Sequence, residues 1–262
     1  MPALVMGVLN VTPDSFSDGG RYLDHDVAVA RGLEMLAEGA AVIDIGGESS
    51  RPGANPVSAA EECRRVLPVV EALAPHGRVS IDTAKVSVAE AALAAGATLV
   101  NDITASLAEV AAAAGAGWVV MHMQGTPQDM QDNPSYTDVV AEVRHFLFAR
   151  AEKALSLGVT EVWIDPGIGF GKRPGHNLTL LRHLHELVAG GYPVLVGTSR
   201  KSFLGSVDPA RATPAPVHDR TEESLATAVW AMSAGVGMVR AHDVAGTVQA
   251  AQVVGCASGR CS

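Results

Sequence analysis

Short, almost continuously apolar runs alternate along this chain with longer stretches in which apolar side chains recur at helical spacing. The runs are ALVMGVLN (3–10), AAVIDIGG (40–47), RVSIDT (78–83), TLVNDI (98–103), GWVVMHM (117–123), EVWIDPG (161–167), PVLVGTS (193–199) and GMVRAHD (237–243). Strands with so little polar face are those of a parallel sheet covered on both sides. Between them the periodicity predicts helices over 25–38, 58–73, 85–95, 106–114, 136–157, 178–188 and 222–234. In the first, Val27, Ala30, Leu33, Met35 and Leu36 fall near one face, and Gly39 supplies a stop. Ser58 is placed to cap the second, which has acidic residues in its first turn.

Eight strand-then-helix units in 262 residues predict an α/β fold of the (β/α)8 TIM-barrel type, one domain spanning 1–262. An open doubly wound sheet would carry a glycine-rich nucleotide fingerprint after its first strand; NVTPDSFSDGG is no such signature. No Pro/Ser-rich linker divides the chain.

Composition narrows the partners. Hydrophobic residues are 48% and charged residues 18%, as in a soluble globule with a real core. Aromatics are only 4%, which favours close helix-on-sheet packing over an aromatic binding surface. The net charge of −9 comes without any basic run, so nucleic acid is not an expected partner. A phosphate-bearing substrate must instead be met by a few placed cations. No apolar run reaches roughly 18 residues and no basic-then-apolar leader is present, so no membrane partner and a cytoplasmic location are expected. Cys63, Cys256 and Cys261 are odd in number, scattered and without metal-type spacing; they read as reduced thiols, the last two in a small polar tail.

In a barrel of this kind chemistry sits at the carboxyl ends of the strands. Those ends carry Asn10, Glu48, Asp82, Asn101 with Asp102, His122, Asp165, Lys201, and Arg240 with His242. One carboxylate at a strand end is commonly a helix cap. Polar groups at nearly every mouth would crowd unpaired charges together unless a polar ligand joins them. Asp82, Asn101 and Asp165, from the third, fourth and sixth strands, suit a flat heterocycle with an amino-amide edge, since carboxylates accept from ring N–H groups and an amide both donates and accepts. Arg51, Lys201, Arg240 and His242 point to an anion, most simply a diphosphate. Arg200 reads equally well as a helix cap or a surface residue. The Gly- and Pro-rich loops 11–24 and 47–57 are placed to act as lids. WIDPGIGFGK lacks Walker A spacing; its glycines read as positions of close backbone approach to a ligand, with Phe170 as a wall. His183 and His185, two apart on a helix, do not share a face and make no metal pair.

Taken together, MGVLNVTPDSFSDGG, IDIGGESSRPGA, SIDT, NDI, MHMQGTP, IDPGIGFGK, GTSRKSFLG and RAHDV resemble the dihydropteroate synthase family from about Val5 to Val254. The resemblance implies a transferase of folate synthesis that joins a dihydropterin diphosphate to p-aminobenzoate. It places Asp82, Asn101, Asp165 and Lys201 on the pterin, with Ile103, Met121, Phe170 and Gly197 lining its pocket. It gives Asn10, Arg51, Arg240 and His242 to the diphosphate, and implies a Mg2+ ion held mainly by phosphate oxygens and touched by Asn10. Phe16, Ser50, Arg51, Pro52, Phe170 and Ser202 would shape the p-aminobenzoate subsite. Asp82, Asp165, Lys201, Arg240 and His242 carry the catalytic role: the C–O bond to diphosphate breaks first, and the arylamine then attacks the cationic methylene. A homodimer through the late helices is implied as well. Two departures stand out. Ser50 replaces the Thr of many members, keeping the hydroxyl, and the chain begins almost directly at the first strand, so the barrel bottom must be closed by something other than a preceding hairpin.

Other readings remain open at this point. A methyltetrahydrofolate:corrinoid methyltransferase-like barrel shares the Asp/Asn/Asp contacts but has no evident use for GGESSRPG or SRKS. A metal-dependent amidohydrolase, with Asp243 and His122 as ligands, needs HxH at the first strand, where Leu9-Asn10 stands. A pterin-binding paralogue without activity would be free to lose Asn10, Arg51, Lys201, Arg240 or His242, and all are present.

Overall fold

The computed structural model describes residues 2–12, 25–49, 56–207 and 213–259. Its elements run β1 (Leu4–Asn10), α1 (His25–Ala37), β2 (Val42–Gly46), α2 (Ala59–Leu73), β3 (Val79–Asp82), α3 (Val86–Ala94), β4 (Leu99–Asp102), α4 (Ala108–Ala114) and β5 (Gly117–Met121). They continue with α5 (Val139–Ser156), β6 (Val162–Asp165), α6 (Pro174–Arg182), α7 (Leu184–Val188), β7 (Leu195–Val196), α8 (Thr221–Ser233), β8 (Met238–Ala241) and α9 (Val244–Ala257). All eight strands stand where the apolar runs predict them. Each pairs in parallel with its sequence neighbour from β1 to β6, β1 also pairs with β8, and β7 with β8. A parallel bridge between Ile164 and Val194 joins β6 to β7 and closes the barrel.

Strand alternation then sorts every second residue inward. Met6, Val42, Leu99, Val119, Trp163, Leu195 and Met238 pack together as the barrel floor. Outward-facing Val5, Ile43, Ile45, Ile81, Val100, Val120, Ile164 and Val239 belong to the larger core shared with the helices. The floor side chains fill the lower part of the barrel interior. Beneath it Arg78 grips Glu161 through two bonds (2.9 and 2.5 Å), and the Trp163 indole N–H donates to Glu161 Oε1 at 2.7 Å.

Four local expectations change. The helix expected from 136 begins at Val139, because Asp138 accepts from the Val140 and Ala141 amides and so sets the first turn. The helix expected over 178–188 is two: α6 starts earlier, with Pro174 in its first turn, and His183 separates it from α7. Residues 244–257, assigned no helix from the sequence, form α9, capped by Asp243 on the Gly246 amide. That stretch holds no Leu and no charge, so its helical period is faint. Cys256 therefore lies in the last turn of α9 rather than in a tail; Cys63 is free. Among the described residues no helix is long and apolar enough to cross a membrane.

Trp163 is the largest floor side chain, 8% exposed. Trp163→Ala should cost about 3–5 kcal/mol in denaturant unfolding. A loss below about 1 kcal/mol would show that the floor is not the packed plug described.

Candidate active site

On five of the eight strands, the inward position at the carboxyl end is polar. Val42 is followed by Asp44, Leu99 by Asn101, Trp163 by Asp165 and Met238 by Arg240, while Ser80 leads to Asp82. Strand register holds this tier level, since Asp82 lies opposite Asn101 and Met121 opposite Asp165. A cleft continuous with solvent opens directly over it. Val8, Asp82, Asn101, Ile103, Met121, Asp165, Phe170, Gly197, Ser199, Lys201, Arg240 and His242 line it.

Charge organises the cleft. Arg240 Nε donates to Asp44 at 2.6 Å and its Nη2 to Asp82 at 2.8 Å. Asn101 Nδ2 donates to the same Asp44 oxygen at 2.9 Å. Asp44 is completely buried, and among the described residues its other oxygen has no partner. Burial pushes the Asp82 carboxyl up to about 7, although Arg240 pulls the other way. Asp165 is also raised by burial, against the Gly167 amide bond and the nearby Lys201 and Lys172 charges. Burial brings Lys201 down to about 7. It also opposes the charge on Arg240, but Asp44 and Asp82 outweigh it and raise that group. Asp82 and Lys201 are thus both brought towards neutrality from opposite sides.

The loop after β6 shapes one wall. Asp165 Oδ1 accepts from the Gly167 amide at 2.7 Å, Lys201 Nζ donates to the Ile168 carbonyl at 2.8 Å, and the Lys201 ammonium sits 3.8 Å above the Phe170 ring. The glycines serve the loop itself, a correction to their reading as points of ligand approach. A Cβ on Gly167 (φ +65°) would lie 1.9 Å from the His122 carbonyl oxygen, and one on Gly171 (φ +60°) 2.2 Å from that of Gln124. On the other wall, Arg200 adopts φ +61°. Its amide donates to Ser224 Oγ and its carbonyl accepts from buried Arg220, which also clasps the Ala215 carbonyl. Arg200 thus holds the turn that presents Lys201, and its side chain is exposed. Ser199 Oγ meets His242 Nδ1 at 3.0 Å and accepts from the His242 amide.

Every residue assigned to the pterin is gathered in this cleft, and Arg240 and His242 share it. Asn10 ends β1 beside Gly46, half-buried on the same rim but outside the cleft lining. Ser202 is exposed beyond Lys201 and does not line it either. Phe16, Ser50, Arg51 and Pro52, with most of both expected lids, lie outside the described residues. Three of the strand-end polar groups face other duties. Asp102 accepts from the Thr104, Ser106 and Leu107 amides and the Trp118 indole, so it folds the turn into α4. Glu48 takes the Val57 amide and, with Glu62, the Lys85 ammonium. His122 Nδ1 faces the buried Lys172 ammonium at 2.9 Å. Sequence reasoning passed over Asp44, Val8 and Ser199. A carboxylate in the middle of the apolar run VIDIG, at the inward parity of Val42, was the available signal for the first.

Known proteins agree with this geometry. The profile of the family described as pterin binding enzyme matches residues 6–242. The dihydropteroate synthase of Mycobacterium leprae is 47% identical over 97% of this chain and 93% of its own. The crystal structure of Yersinia pestis dihydropteroate synthase with a sulfonamide drug superimposes with a TM-score of 0.90 at 43% identity, covering 98% of this chain and 95% of that one. That of Xanthomonas albilineans with 4-aminobenzoic acid gives 0.89 at 43%, covering 98% and 93%. The chain belongs to the pterin-binding enzymes and, within them, to the dihydropteroate synthase family.

Proposed function

We propose that the cleft condenses 6-hydroxymethyl-7,8-dihydropterin diphosphate with p-aminobenzoate, giving 7,8-dihydropteroate and diphosphate. The observation that carries this reading is one buried tier holding Asp82, Asn101 and Asp165 beside Lys201, Arg240 and His242. The three acceptors match the donor edge of the pterin, at about 1.5–3 kcal/mol per charge-assisted bond. The cations match the diphosphate. Arg240 Nη2 donates to Asp82. Substrate binding exchanges this pair: the pterin edge takes Asp82 and the diphosphate draws Arg240, so both charges stay compensated.

When the C–O bond breaks, positive charge spreads into the pterin, where Asp82 and Asp165 stabilise it, while Arg240 and His242 stabilise the departing diphosphate. A neutral arylamine is itself nucleophilic and needs no strong base to attack the cationic methylene. Among the described residues no cluster of three His, Cys, Asp or Glu is set to hold a metal ion. A Mg2+ ion would be held here chiefly by diphosphate oxygens, with the Asn10 amide oxygen as the protein's share. Its contribution when bound is to neutralise the leaving group. Phe16, Ser50, Arg51, Pro52 and Ser202 complete the reading as the p-aminobenzoate subsite, and the chain acts in the cytoplasm. Trp230 on α8 and Leu178 on α6 are 56% and 45% exposed, and the Trp230 indole N–H bonds the Leu181 carbonyl of α6. That apolar face supports a homodimer.

Diphosphate release should require both substrates and increase with Mg2+; silence in the complete mixture contradicts the reading. Asp82→Asn should weaken dihydropterin binding roughly ten- to a hundredfold, and wild-type affinity would place the pocket elsewhere. Because a protonated Asp82 cannot accept from the ring, wild-type affinity for the dihydropterin should fall as pH drops through about 7. A flat profile over about two units either side of neutrality speaks against Asp82 as an acceptor.

A further inference from the structure

Lys172 is 2% exposed, does not line the cleft, and has no part in the reaction as described above. Its ammonium lies 2.9 Å from His122 Nδ1, 3.1 Å from the His122 carbonyl, and 3.0 Å from each of the Gly167 and Phe170 carbonyls. Three N–H bonds thus serve four acceptors. Burial, reinforced by the Lys172 charge, pulls His122 down to about 3, so its imidazole is neutral and free to accept at Nδ1. Lys172 itself is brought down to about 7 by burial, partly offset by Asp165.

The acceptors are the underside of the loop whose upper side faces the substrate. Gly167 gives its carbonyl to Lys172 and its amide to Asp165. Phe170 gives its carbonyl to Lys172 and its ring to Lys201. Between them Ile168 accepts from Lys201. Other bonds tie down the rim: Gly169 donates to Asn177 and accepts from Gln131, and Gly171 accepts from Tyr136. From beneath, Lys172 Nζ gathers the carbonyls at both ends of the turn, Gly167 and Phe170.

We propose that Lys172 is a positioning residue for pterin binding, whose buried Nζ orders the Gly167–Phe170 turn onto which Asp165 is bonded. Its charge also favours the ionised form of Asp165. This positioning role rests on Asp165 holding the pterin edge. The ammonium acts as an internal cation would, gathering carbonyls beneath the pocket. Removing the charge takes a donor from three carbonyls and an imidazole at once, and although the Gly167 carbonyl keeps the Phe170 amide, the turn loosens where Asp165, Phe170 and Lys201 meet the ligand. The charged and titratable groups around the pair are Lys201 and Arg240 next to Asp165, and Lys201, His122 and His176 next to Lys172. Of these, Lys201 and Arg240 remain in a Lys172 variant, so Asp165 keeps part of its compensation and the effect is a shift, not a collapse.

The test uses the full chain and calorimetry with 6-hydroxymethyl-7,8-dihydropterin as the probe, across pH, beside steady-state kinetics. Lys172→Met keeps the stem and removes the charge. It should weaken dihydropterin binding about tenfold and move the acidic limb of the affinity profile to higher pH. KM for p-aminobenzoate should stay within about twofold of wild type. Unchanged affinity with an unmoved limb overturns the proposal, as does an equal loss on both substrates with the limb in place. His122→Leu deletes one acceptor and leaves the charge, so it should weaken the dihydropterin less and leave the limb where it was. If Lys172→Met does not fold, that variant decides, and wild-type affinity in it overturns the proposal. A wild-type chain that binds no dihydropterin overturns the underlying reading; a binding wild type with an equally good Lys172→Met overturns this inference alone.

Discussion

Arg240 between Asp44 and Asp82 is the interaction on which the active face depends. Two carboxylates inside a barrel whose floor is apolar would be driven to protonate if left alone. One guanidinium touching both, with Asn101 on the same Asp44 oxygen, makes the tier tolerable and leaves Asp82 half-committed. Removing one partner of such a buried set typically costs about 3–5 kcal/mol, which is why exchange with a substrate must supply a replacement for each charge. A ligand carrying a donor edge and an anion at the right separation does this for both charges; the donor edge alone takes Asp82 and leaves Arg240 on Asp44.

The two walls of the cleft are built to keep that balance in place. On one, close-approach glycines let the loop after β6 lie directly on the backbone that follows β5, and Lys172 fills the space beneath. On the other, Arg220 and Ser224 hold the left-handed Arg200, so that Lys201 reaches across to the Ile168 carbonyl and the Phe170 ring. Lys201 thus links both walls through its ammonium. Strand parity explains the rest, because the step from floor to polar tier is two residues on Val42–Asp44, Leu99–Asn101, Trp163–Asp165 and Met238–Arg240 alike.

Much of this was legible in the residues. Eight buried parallel strands announce themselves as apolar runs, and the polar residues at their carboxyl ends mark the active face before any contact is known. What stayed hidden was of two kinds. α9 escaped because an Ala/Gly/Val helix without charges has little amphipathic contrast, and the break at His183 because helix ends depend on local caps more than on period. Asp44, Lys172 and Arg220 escaped because their roles are defined by partners distant in sequence: Asp44 by Arg240, Lys172 by His122, Arg220 by Arg200. Conversely His122, Asp102 and Glu48 share the strand-end position of ligand-facing groups, yet their bonds go to the scaffold. Position along a strand tells which end a side chain occupies, not what it holds.

The central claim is the exchange at Asp82, and a crystal structure of the wild-type chain with a dihydropterin diphosphate analogue and p-aminobenzoate tests it most directly. The account predicts the heterocycle edge on Asp82, Asn101 and Asp165, and Arg240 turned from Asp82 to the diphosphate. A bound ligand with the Arg240–Asp82 contact intact, or one lying away from this tier, would contradict it.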